Sequence, residues 1–307
     1  MQAEDIRQIL IIGAGSMGQQ IGFHFAASGF AVNLYDISRG ELDKTGQRAG
    51  KVARAYVRAN RLAPEAADAA LERIRPTDDP QMAGEAADFV SESVPEDPDL
   101  KGRVFSRFHA ICPAHAVFTT NTSSLLPSRF AQQTGRPEKF AALHFHDLRF
   151  STVVDIMPHP GTSAETVAFI EALAAHSCLV PIMICRESPG YVFNAMLMEL
   201  LKAAQGLAAN AVASIEDIDR SWMGVMMTDV GPFGIMDGIG LDTVLQVTEY
   251  WAEETGDPRY RKNAEFLRRY VDKGLLGTKT GRGFYSYPHP AYRQPGFLEK
   301  KNEEGQK

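Results

Sequence analysis

The sequence predicts an α/β domain over residues 1–187, followed by an all-α domain over residues 188–288. Up to Cys185, short apolar runs alternate with longer amphipathic segments, which is the pattern of strands and helices around a parallel sheet. Beyond Ser188-Pro-Gly190 only helical patterns continue, and the polar residues 289–307 show no periodicity, which predicts a tail. A chain of 307 residues is long enough for both domains.

The composition is that of an ordinary globular protein, with 44% hydrophobic and 23% charged residues. A net charge of −6 disfavours nucleic acid or a membrane surface as partners, and no apolar run reaches membrane-spanning length. The cysteines, Cys112, Cys178 and Cys185, form no Cys-x-x-Cys pair, which indicates a reducing compartment and no metal site. Residues 1–5 lack the features of a signal peptide, so we expect a cytoplasmic protein acting on a small-molecule substrate.

The first strand is predicted at the apolar residues 9–12, which run directly into a Gly-Ala-Gly-Ser-Met-Gly loop and a helix over residues 19–28. A strand, a glycine turn and a helix start bring backbone N–H groups to one point, which suits a pyrophosphate. In this pattern the first glycine permits the turn, and the second lets the phosphates approach the backbone. The third allows the helix and the strand to pack closely. The predicted cofactor contacts of the loop are Gly13, Gly15, Ser16, Met17 and Gly18.

The second strand is predicted at residues 31–36 and ends in Asp36. A carboxylate at this place can accept hydrogen bonds from both hydroxyls of an adenosine ribose and would repel a 2′-phosphate. The pattern therefore predicts a Rossmann-type domain that binds NAD rather than NADP. Asp36 could also be a simple turn residue, and the cation of Arg39 lies nearby.

Two helices, over residues 41–62 and 64–74, are predicted to form a helical-hairpin arm inserted after the second strand. Spacings of three and four place a set of basic residues on one face of the first helix. This face is either a solvated surface or a contact for substrate phosphates, such as those of coenzyme A. Its members are Lys44, Arg48, Lys51, Arg54 and Arg58.

Apolar runs predict the remaining strands at residues 87–95, 116–120, 140–145, 153–157 and 180–185, with helices starting near residue 96 and at Ser163. In the second domain, helices are predicted at residues 191–210, after Ser214, at 241–254 and at 263–273, with a turn at residues 231–234. Polar residues follow two of the strands: Asn121-Thr-Ser-Ser124 and His144. In open parallel sheets the ligands bind at this edge.

Ser123, His144 and Asp155 come from three separate strand ends and could converge. A histidine oriented by a carboxylate is a general base that can remove a hydroxyl proton beside a nicotinamide, and a serine could bind the same oxygen. Each residue also has a simpler explanation: a helix cap, a core histidine, and an acceptor for a backbone amide. A Ser-His-Asp hydrolase is disfavoured because Ser123 does not lie in a G-x-S-x-G turn.

The chain resembles the 3-hydroxyacyl-CoA dehydrogenase family, whose motifs occur here in order over nearly all of the chain up to Tyr287. In addition to the glycine loop and Thr120-Asn-Thr-Ser-Ser-Leu125, they include His144-Phe145 and Ser188-Pro-Gly-Tyr-Val-Phe-Asn194. The other matching segments are Ser91-Glu-Ser-Val-Pro-Glu96, Gly231-Pro-Phe-Gly234, Gly240-Leu-Asp-Thr243 and Gly277-Thr-Lys-Thr-Gly-Arg-Gly-Phe-Tyr285.

The resemblance implies a Rossmann domain with a helical arm, an all-helical dimerisation domain and a homodimer. It implies NAD-dependent oxidation of a 3-hydroxy group to the 3-oxo product, reversibly. Carried over by motif, His144 is the general base, Ser123 binds the substrate oxygen, and Asn194 faces the active site. The resemblance also implies that Asn121, Glu96 and Lys101 line the part of the site that binds the cofactor.

The chain departs from the family between the catalytic histidine and the next strand. Where the family commonly reads H-F-F-N-P, this chain has His146 in place of an aromatic residue and Asp147 in place of a neutral asparagine. The histidine partner of the family, a glutamate in L-V-E, is matched here by Asp155, one residue earlier. A negative Asp147 would oppose enolate-like charge on a thioester.

The resemblance implies a 3-hydroxyacyl-CoA of the 3-hydroxybutyryl-CoA type as the substrate, and Asp147 counts against a thioester. The same chemistry on a 3-hydroxy acid without coenzyme A stays open, with carnitine, L-gulonate and diketo esters as examples. A protein that binds NAD without catalysis is a further alternative.

Overall fold

The structure is a computed structural model that describes residues 2–299. The chain divides into two compact units, Met1–Val192 and Phe193–Lys307. Among the described residues, no helix is both long and apolar enough to cross a membrane.

The first unit contains the sheet. Its strands are β1 (Gln8–Ile12), β2 (Ala31–Tyr35), β3 (Ile74–Thr77), β4 (Phe89–Glu92), β5 (Val117–Thr120), β6 (Phe140–Phe145), β7 (Val153–Pro158) and β8 (Val180–Met183). Its helices are α1 (Ser16–Ala27), α2 (Arg39–Leu42), α3 (Thr45–Arg58), α4 (Pro64–Glu72), α5 (Pro80–Gly84), α6 (Pro98–His109) and α7 (Ala164–His176).

The strands form one sheet in the order β3-β2-β1-β4-β5-β6-β7-β8, and every neighbouring pair is parallel except β6 and β7. Apolar side chains of the central strands enter two buried clusters, which contain Ile9 and Ile11 in one case and Leu10 and Ile12 in the other. Strands covered in this way read as continuous apolar runs, which is why the sequence identifies them. The α/β Rossmann-type fold class is confirmed.

The arm region differs from the prediction in two places. The expected helix over residues 41–62 is interrupted, because α2 ends at Leu42 and α3 begins at Thr45. Residues 74–77, expected in or after the second arm helix, form the edge strand β3, in which Pro76 pairs with Leu34 of β2. An edge strand tolerates a proline because one side of the strand needs no ladder donor.

The reversal at β7 follows from the length of its connection. Only residues 146–152 join β6 to β7, and a parallel crossover requires a dozen residues or more. Within this connection the Asp147 carbonyl accepts the N–H groups of Phe150 and Ser151, each at 3.0 Å. The tight turn therefore brings β7 back beside β6 in antiparallel register.

The second unit is helical. Its helices are α8 (Phe193–Ala209), α9 (Ile215–Met226), α10 (Pro232–Ile239), α11 (Leu241–Thr255) and α12 (Pro258–Val271). The expected turn at residues 231–234 is wrong, because α10 begins there: the buried Asp219 accepts the N–H groups of Phe233 and Gly234 at 2.8 and 3.0 Å. A carboxylate at this place stabilises a helix start.

The polar tail expected over residues 289–307 is ordered in its first part. Tyr292 is buried, and the carbonyl of Phe297 accepts a hydrogen bond from Arg220 Nε at 2.6 Å. These two aromatic residues provide apolar surface that a lack of periodicity does not reveal. Residues 300–307 of the expected tail lie outside the described residues.

A buried histidine, His24, connects three helices of the first unit. Its Nε2 donates to the carbonyl of Ser177 after α7 at 2.9 Å, and its Nδ1 accepts from the hydroxyl of Tyr56 on α3 at 2.9 Å. Burial lowers the pKa of His24 from 6.5 to about 4. The imidazole is therefore neutral in the folded unit at neutral pH.

We predict that His24 makes the first unit sensitive to acid. In the unfolded chain the imidazole takes up a proton below pH 6.5, whereas the folded state resists protonation until about pH 4. The free energy of unfolding should therefore fall as pH decreases through this window, by up to about 3 kcal/mol. Urea unfolding followed by circular dichroism should give a free energy of unfolding that depends less on pH in His24→Gln than in the parent protein. His289 is exposed, so His289→Gln should keep the pH dependence of the parent protein. A parent slope in His24→Gln would contradict the prediction.

Candidate active site

The glycine loop joins the end of β1 to the start of α1. Gly13 has φ +103°, and a Cβ there would lie 2.6 Å from the carbonyl oxygen of Ser93. A Cβ at Gly18 would lie 1.8 Å from the carbonyl oxygen of Gly13, so only glycine permits this packing. A Cβ at Gly15 would meet no atom within 4 Å. The space in front of Gly15 is therefore open to a ligand.

Two donors orient the peptide between Ala14 and Gly15. Gln19 Nε2 and Arg48 Nη1 donate to the Ala14 carbonyl at 2.6 and 3.1 Å. Because the C=O and N–H of a trans peptide point in opposite directions, the Gly15 N–H points away from these donors. The N–H groups of the first turn of α1 lie beside it, on Ser16, Met17 and Gly18. Together they suit a pyrophosphate.

Asp36 follows β2 and is half-buried. Its Oδ2 accepts the N–H of Ala14 at 2.7 Å, and its Oδ1 accepts the N–H of Ser38 at 2.8 Å. Each oxygen keeps lone-pair capacity for a ribose hydroxyl. The nearby cation of Arg39 is paired with Asp78 at 2.7 Å. This arrangement fits a ribose without a 2′-phosphate.

Lys101 and Glu92 form a buried ion pair, with side chains 1% and 0% exposed. Lys101 Nζ donates to the two carboxylate oxygens of Glu92 at 2.8 and 3.0 Å and to the carbonyl of Val94 at 3.2 Å. Thr120 Oγ1 donates to Glu92 Oε2 at 2.6 Å. Burial raises the pKa of Glu92, and the Lys101 ammonium opposes that shift. The pair connects the ends of β4 and β5 with α6.

A second carboxylate, Glu96, lies 3.3 Å from Lys101 Nζ. Its Oε1 accepts the N–H groups of Ser123 and Ser124 at 3.0 Å, and also the hydroxyls of Thr122 and Ser124. Burial opposes the ionisation of Glu96, but Lys101 and these hydrogen bonds hold its pKa below the ordinary value. Glu96 therefore holds the loop after β5, on which Ser123 is exposed.

Asn121 and Tyr191 connect this loop with the end of β6. Asn121 Oδ1 accepts the N–H of Phe145 at 2.8 Å. The Tyr191 hydroxyl donates to the carbonyl of Thr122 at 2.7 Å, and its ring stacks on His144 with centroids 4.7 Å apart. Tyr191 has φ +57°, which is uncommon for a residue with a Cβ. Its two contacts hold it there and fix one face of the imidazole.

His144 on β6 lies directly opposite Asp155 on β7, and its Nδ1 is 3.0 Å from Asp155 Oδ2. A carboxylate only accepts hydrogen bonds, so Nδ1 holds the proton and Nε2 is the acceptor of the neutral imidazole. Both residues are buried. Burial opposes the ionisation of Asp155, but hydrogen bonds from His144 and His146 lower its pKa to about 2. The structure therefore brings the expected histidine and carboxylate together.

His146 shares the same carboxylate. Its Nε2 lies 3.2 Å from Asp155 Oδ2, and its side chain is 16% exposed. The ring meets that of His144 edge to face, with centroids 4.8 Å apart. Two imidazoles therefore converge on one carboxylate oxygen.

Asp147 is paired with a cation of its own connection. Arg149 Nε lies 2.8 and 3.1 Å from the two carboxylate oxygens of Asp147. Burial opposes the ionisation of Asp147, but these hydrogen bonds and the charge of Arg149 lower its pKa. The carboxylate is ionised with its charge largely compensated, which weakens its repulsion of a developing negative charge nearby.

The remaining predicted residues divide between the units. Asn194 lies in the second unit, in the first turn of α8, and is half-buried, so its role stays a prediction. On the basic face of α3, Arg48 contacts the carbonyl of Ala14 in the glycine loop and the carboxylate of Glu41. Lys44 pairs with the same Glu41. The exposed basic residues of that helix are Lys51, Arg54 and Arg58.

Sequence reasoning missed the roles of two residues that shape the site, Glu92 and Tyr191, and the contact of His146 with Asp155. Glu92 is a charged residue inside an apolar strand, which was the available signal of a buried ion pair. Tyr191 lies within the Ser188–Asn194 motif, but no pattern predicts that its ring stacks on His144.

We predict that Lys101→Met destabilises the first unit by about 3–5 kcal/mol, because Glu92 would be left as a buried charge without its cation. Urea unfolding should show this loss, and the double variant Glu92→Gln/Lys101→Met should recover part of it. The exposed pair of Lys44 and Glu41 provides a control, since Lys44→Met should leave the midpoint unchanged. An unaltered midpoint in Lys101→Met would show that the pair does not hold this edge of the sheet.

Comparison with known families matches both units. Residues 8–188 match the 3-hydroxyacyl-CoA dehydrogenase NAD binding domain, and residues 190–287 match the 3-hydroxyacyl-CoA dehydrogenase C-terminal domain. The chain is 33% identical to a probable 3-hydroxybutyryl-CoA dehydrogenase of Bacillus subtilis, over 92% of this chain and 98% of that protein. It is 30% identical to the mitochondrial hydroxyacyl-coenzyme A dehydrogenase of Homo sapiens, over 92% and 91% of the two chains.

Solved structures of relatives share the fold. A diketoreductase acting on dicarbonyl compounds is 37% identical with a TM-score of 0.84, over 92% of this chain and 99% of that chain. The (S)-3-hydroxybutyryl-CoA dehydrogenase of Ralstonia eutropha is 32% identical with a TM-score of 0.81, over 92% of this chain and 100% of that chain. The glycine loop and Asp36 fit the cofactor that the matched domain binds. The chain therefore belongs to the 3-hydroxyacyl-CoA dehydrogenase family, as an oxidoreductase whose cofactor is NAD.

Proposed function

We propose that this protein oxidises the 3-hydroxy group of a 3-hydroxyacyl-CoA, of the 3-hydroxybutyryl-CoA type, to the 3-oxo product. The observation that carries the proposal is the buried pair of His144 and Asp155, with Nδ1 and Oδ2 3.0 Å apart. The names of the relatives from Bacillus subtilis and Ralstonia eutropha support the substrate class.

His144 acts as the general base of this reaction. Because its Nδ1–H is bound to Asp155, Nε2 is the atom that takes the hydroxyl proton of the substrate. Asp155, with a pKa of about 2, stays ionised and stabilises the imidazolium that forms. Stacking on Tyr191 keeps the ring in this orientation.

The glycine loop and Asp36 would hold NAD, which would supply the acceptor for a hydride from C3 of the substrate. The N–H groups at Gly15 and the first turn of α1 would bind its pyrophosphate, and Asp36 would bind its ribose. On the loop after β5, Ser123 binds the substrate oxygen. Glu96 accepts the N–H of Ser123 in that loop, and Lys101 lies 3.3 Å from Glu96.

The exposed cations of α3 provide an argument for coenzyme A. Lys51, Arg54 and Arg58 are exposed on a helix whose Arg48 reaches the glycine loop, so they suit the phosphates of a CoA thioester. The compensation of Asp147 by Arg149 weakens the objection to a thioester that its negative charge raises.

A second candidate is the same oxidation of a 3-hydroxy acid without coenzyme A, such as carnitine, L-gulonate or a diketo ester. It is favoured by the similarity to the diketoreductase and by the departures at residues 146 and 147. A protein that binds NAD without catalysis is disfavoured, because a pure binder has no use for the His144–Asp155 pair.

We predict that 3-hydroxybutyryl-CoA reduces NAD measurably, as followed by absorbance of the reduced nicotinamide. His144→Ala should lower turnover by about 10²–10⁴-fold while NAD binding is retained, because only the proton acceptor is lost. Asp155→Asn should lower kcat, since the imidazolium loses the carboxylate that stabilises it.

Matched variants on α3 identify the substrate class. Arg54→Glu/Arg58→Glu should raise KM for the CoA thioester severalfold and leave KM for free 3-hydroxybutyrate unchanged. Turnover of carnitine or L-gulonate but not of the thioester would favour the second candidate. Full turnover in His144→Ala would exclude the assigned base.

We also propose that the protein is a homodimer, assembled through the second unit. Exposed large apolar side chains concentrate there, and large exposed apolar surfaces mark protein association sites in general. They include Met196, Val212, Val225, Met226, Met227, Val247 and Tyr250.

Analytical ultracentrifugation should therefore give a dimer mass for the parent protein. Val225→Glu/Met226→Glu should shift it to the monomer, because charges would be buried without partners. Val180→Glu, at a half-exposed apolar residue of the first unit, is the control and should remain dimeric. A monomeric parent would refute the assembly.

A further inference from the structure

We propose that His144, His146 and Asp155 form a binding site for a divalent transition-metal ion, with Zn²⁺ as the physiological class of ligand. The site is inhibitory, since the metal occupies the space between the proposed base and its carboxylate. The existence of the site does not depend on the proposed function, and only its inhibitory effect rests on it.

The three ligand atoms already lie close together. Asp155 Oδ2 is 3.0 Å from His144 Nδ1 and 3.2 Å from His146 Nε2. Each of the three residues offers one ligand atom, and these atoms lie within 4.8 Å of one another. Metal–ligand bonds of 2.0–2.2 Å in tetrahedral geometry separate neighbouring ligands by roughly 3.3 Å, so two of the three separations already match.

The donor set selects the class of metal. Two imidazole nitrogens and one carboxylate oxygen are ligands of Zn²⁺, Co²⁺ and Fe²⁺, whereas Mg²⁺ and Ca²⁺ prefer oxygen donors. Three protein ligands leave a fourth position for water, as in open zinc sites. The carboxylate compensates one of the two positive charges.

The backbone holds these ligands in place. His144 and Asp155 are direct neighbours across β6 and β7, so sheet hydrogen bonds fix their separation. His146 follows one residue after β6 and is the most exposed of the three side chains, which gives an ion a way in. The aromatic residue that the family commonly has at this place could not ligate a metal.

Binding at His144 Nδ1 changes the tautomer of the imidazole. A ligating nitrogen must carry a lone pair, so the single proton of the neutral ring moves from Nδ1 to Nε2. Nε2 then cannot accept the hydroxyl proton of the substrate. The metal therefore inhibits by blocking the base, without displacing NAD from the glycine loop.

Co²⁺ serves as the spectroscopic probe, because its visible d–d absorption reports coordination independently of turnover. The experiment uses the full chain with Cys178→Ser/Cys185→Ser, since the exposed thiols would compete for the metal. Titration should give one set of bands, saturating at one Co²⁺ per chain and removed by Zn²⁺. His146→Phe and His146→Gln in this background should each weaken Co²⁺ affinity at least about 10-fold.

His115→Gln is the matched control, because His115 pairs with Asp88 at 2.9 Å on an exposed surface away from this cluster. It should keep the bands of the background protein. NAD binding by both His146 variants verifies that the first unit is folded. Zn²⁺ should inhibit turnover of the background protein, reversibly with a chelator, and should inhibit the His146 variants less.

The absence of visible bands in the background protein, or a Co²⁺ affinity in both His146 variants equal to that of the background protein, would overturn the metal site. Bands that depend on His146, together with no turnover of any 3-hydroxy substrate, would support the site and refute the proposed function. Bands with undiminished turnover under saturating Zn²⁺ would overturn the inhibitory role.

Discussion

The buried ammonium of Lys101 is the constraint on which the carboxyl edge of the sheet depends. It neutralises Glu92 at the end of β4 and approaches Glu96 on the following loop. Glu92 in turn receives Thr120 from β5, and Glu96 holds the backbone of the next loop. Without the cation, two carboxylates would lie together in a poorly solvated place, which is costly. The Lys101 ammonium therefore stabilises both the ends of β4 and β5 and the loop that follows β5.

The substrate half of the site is attached to this edge through side-chain to backbone contacts. Asn121 binds the backbone at the end of β6, and Tyr191 reaches back to the loop after β5 while stacking on His144. The imidazole is thus held on one side by a ring and at Nδ1 by Asp155. Such preorganisation suits a general base, because the reactive nitrogen needs no reorientation. His146 Nε2 lies 3.2 Å from the same carboxylate oxygen of Asp155.

The cofactor half is organised by backbone geometry. Gly13 and Gly18 are required by contacts that no side chain could replace, while Gly15 faces open space. Arg48 and Gln19 hold the carbonyl that orients the loop, so the arm contributes to the glycine loop through Arg48. Confirmation of NAD as cofactor agrees with a carboxylate at Asp36 and with the pairing of Arg39.

The sequence by itself determined the fold class and the cofactor, because apolar periodicity and glycine spacing are local properties of the chain, and the order of its motifs identified the family. It offered His144 and Asp155 only as residues that could converge. It missed strand β3, since a proline within a short polar run resembles a turn until a neighbouring strand pairs with it. Only the tertiary structure decided that Asp155 meets His144 despite its shifted position, that His146 shares this carboxylate, and that Lys101 is buried against Glu92. These contacts depend on the register of β6 with β7 and on packing between distant segments, which no local pattern encodes.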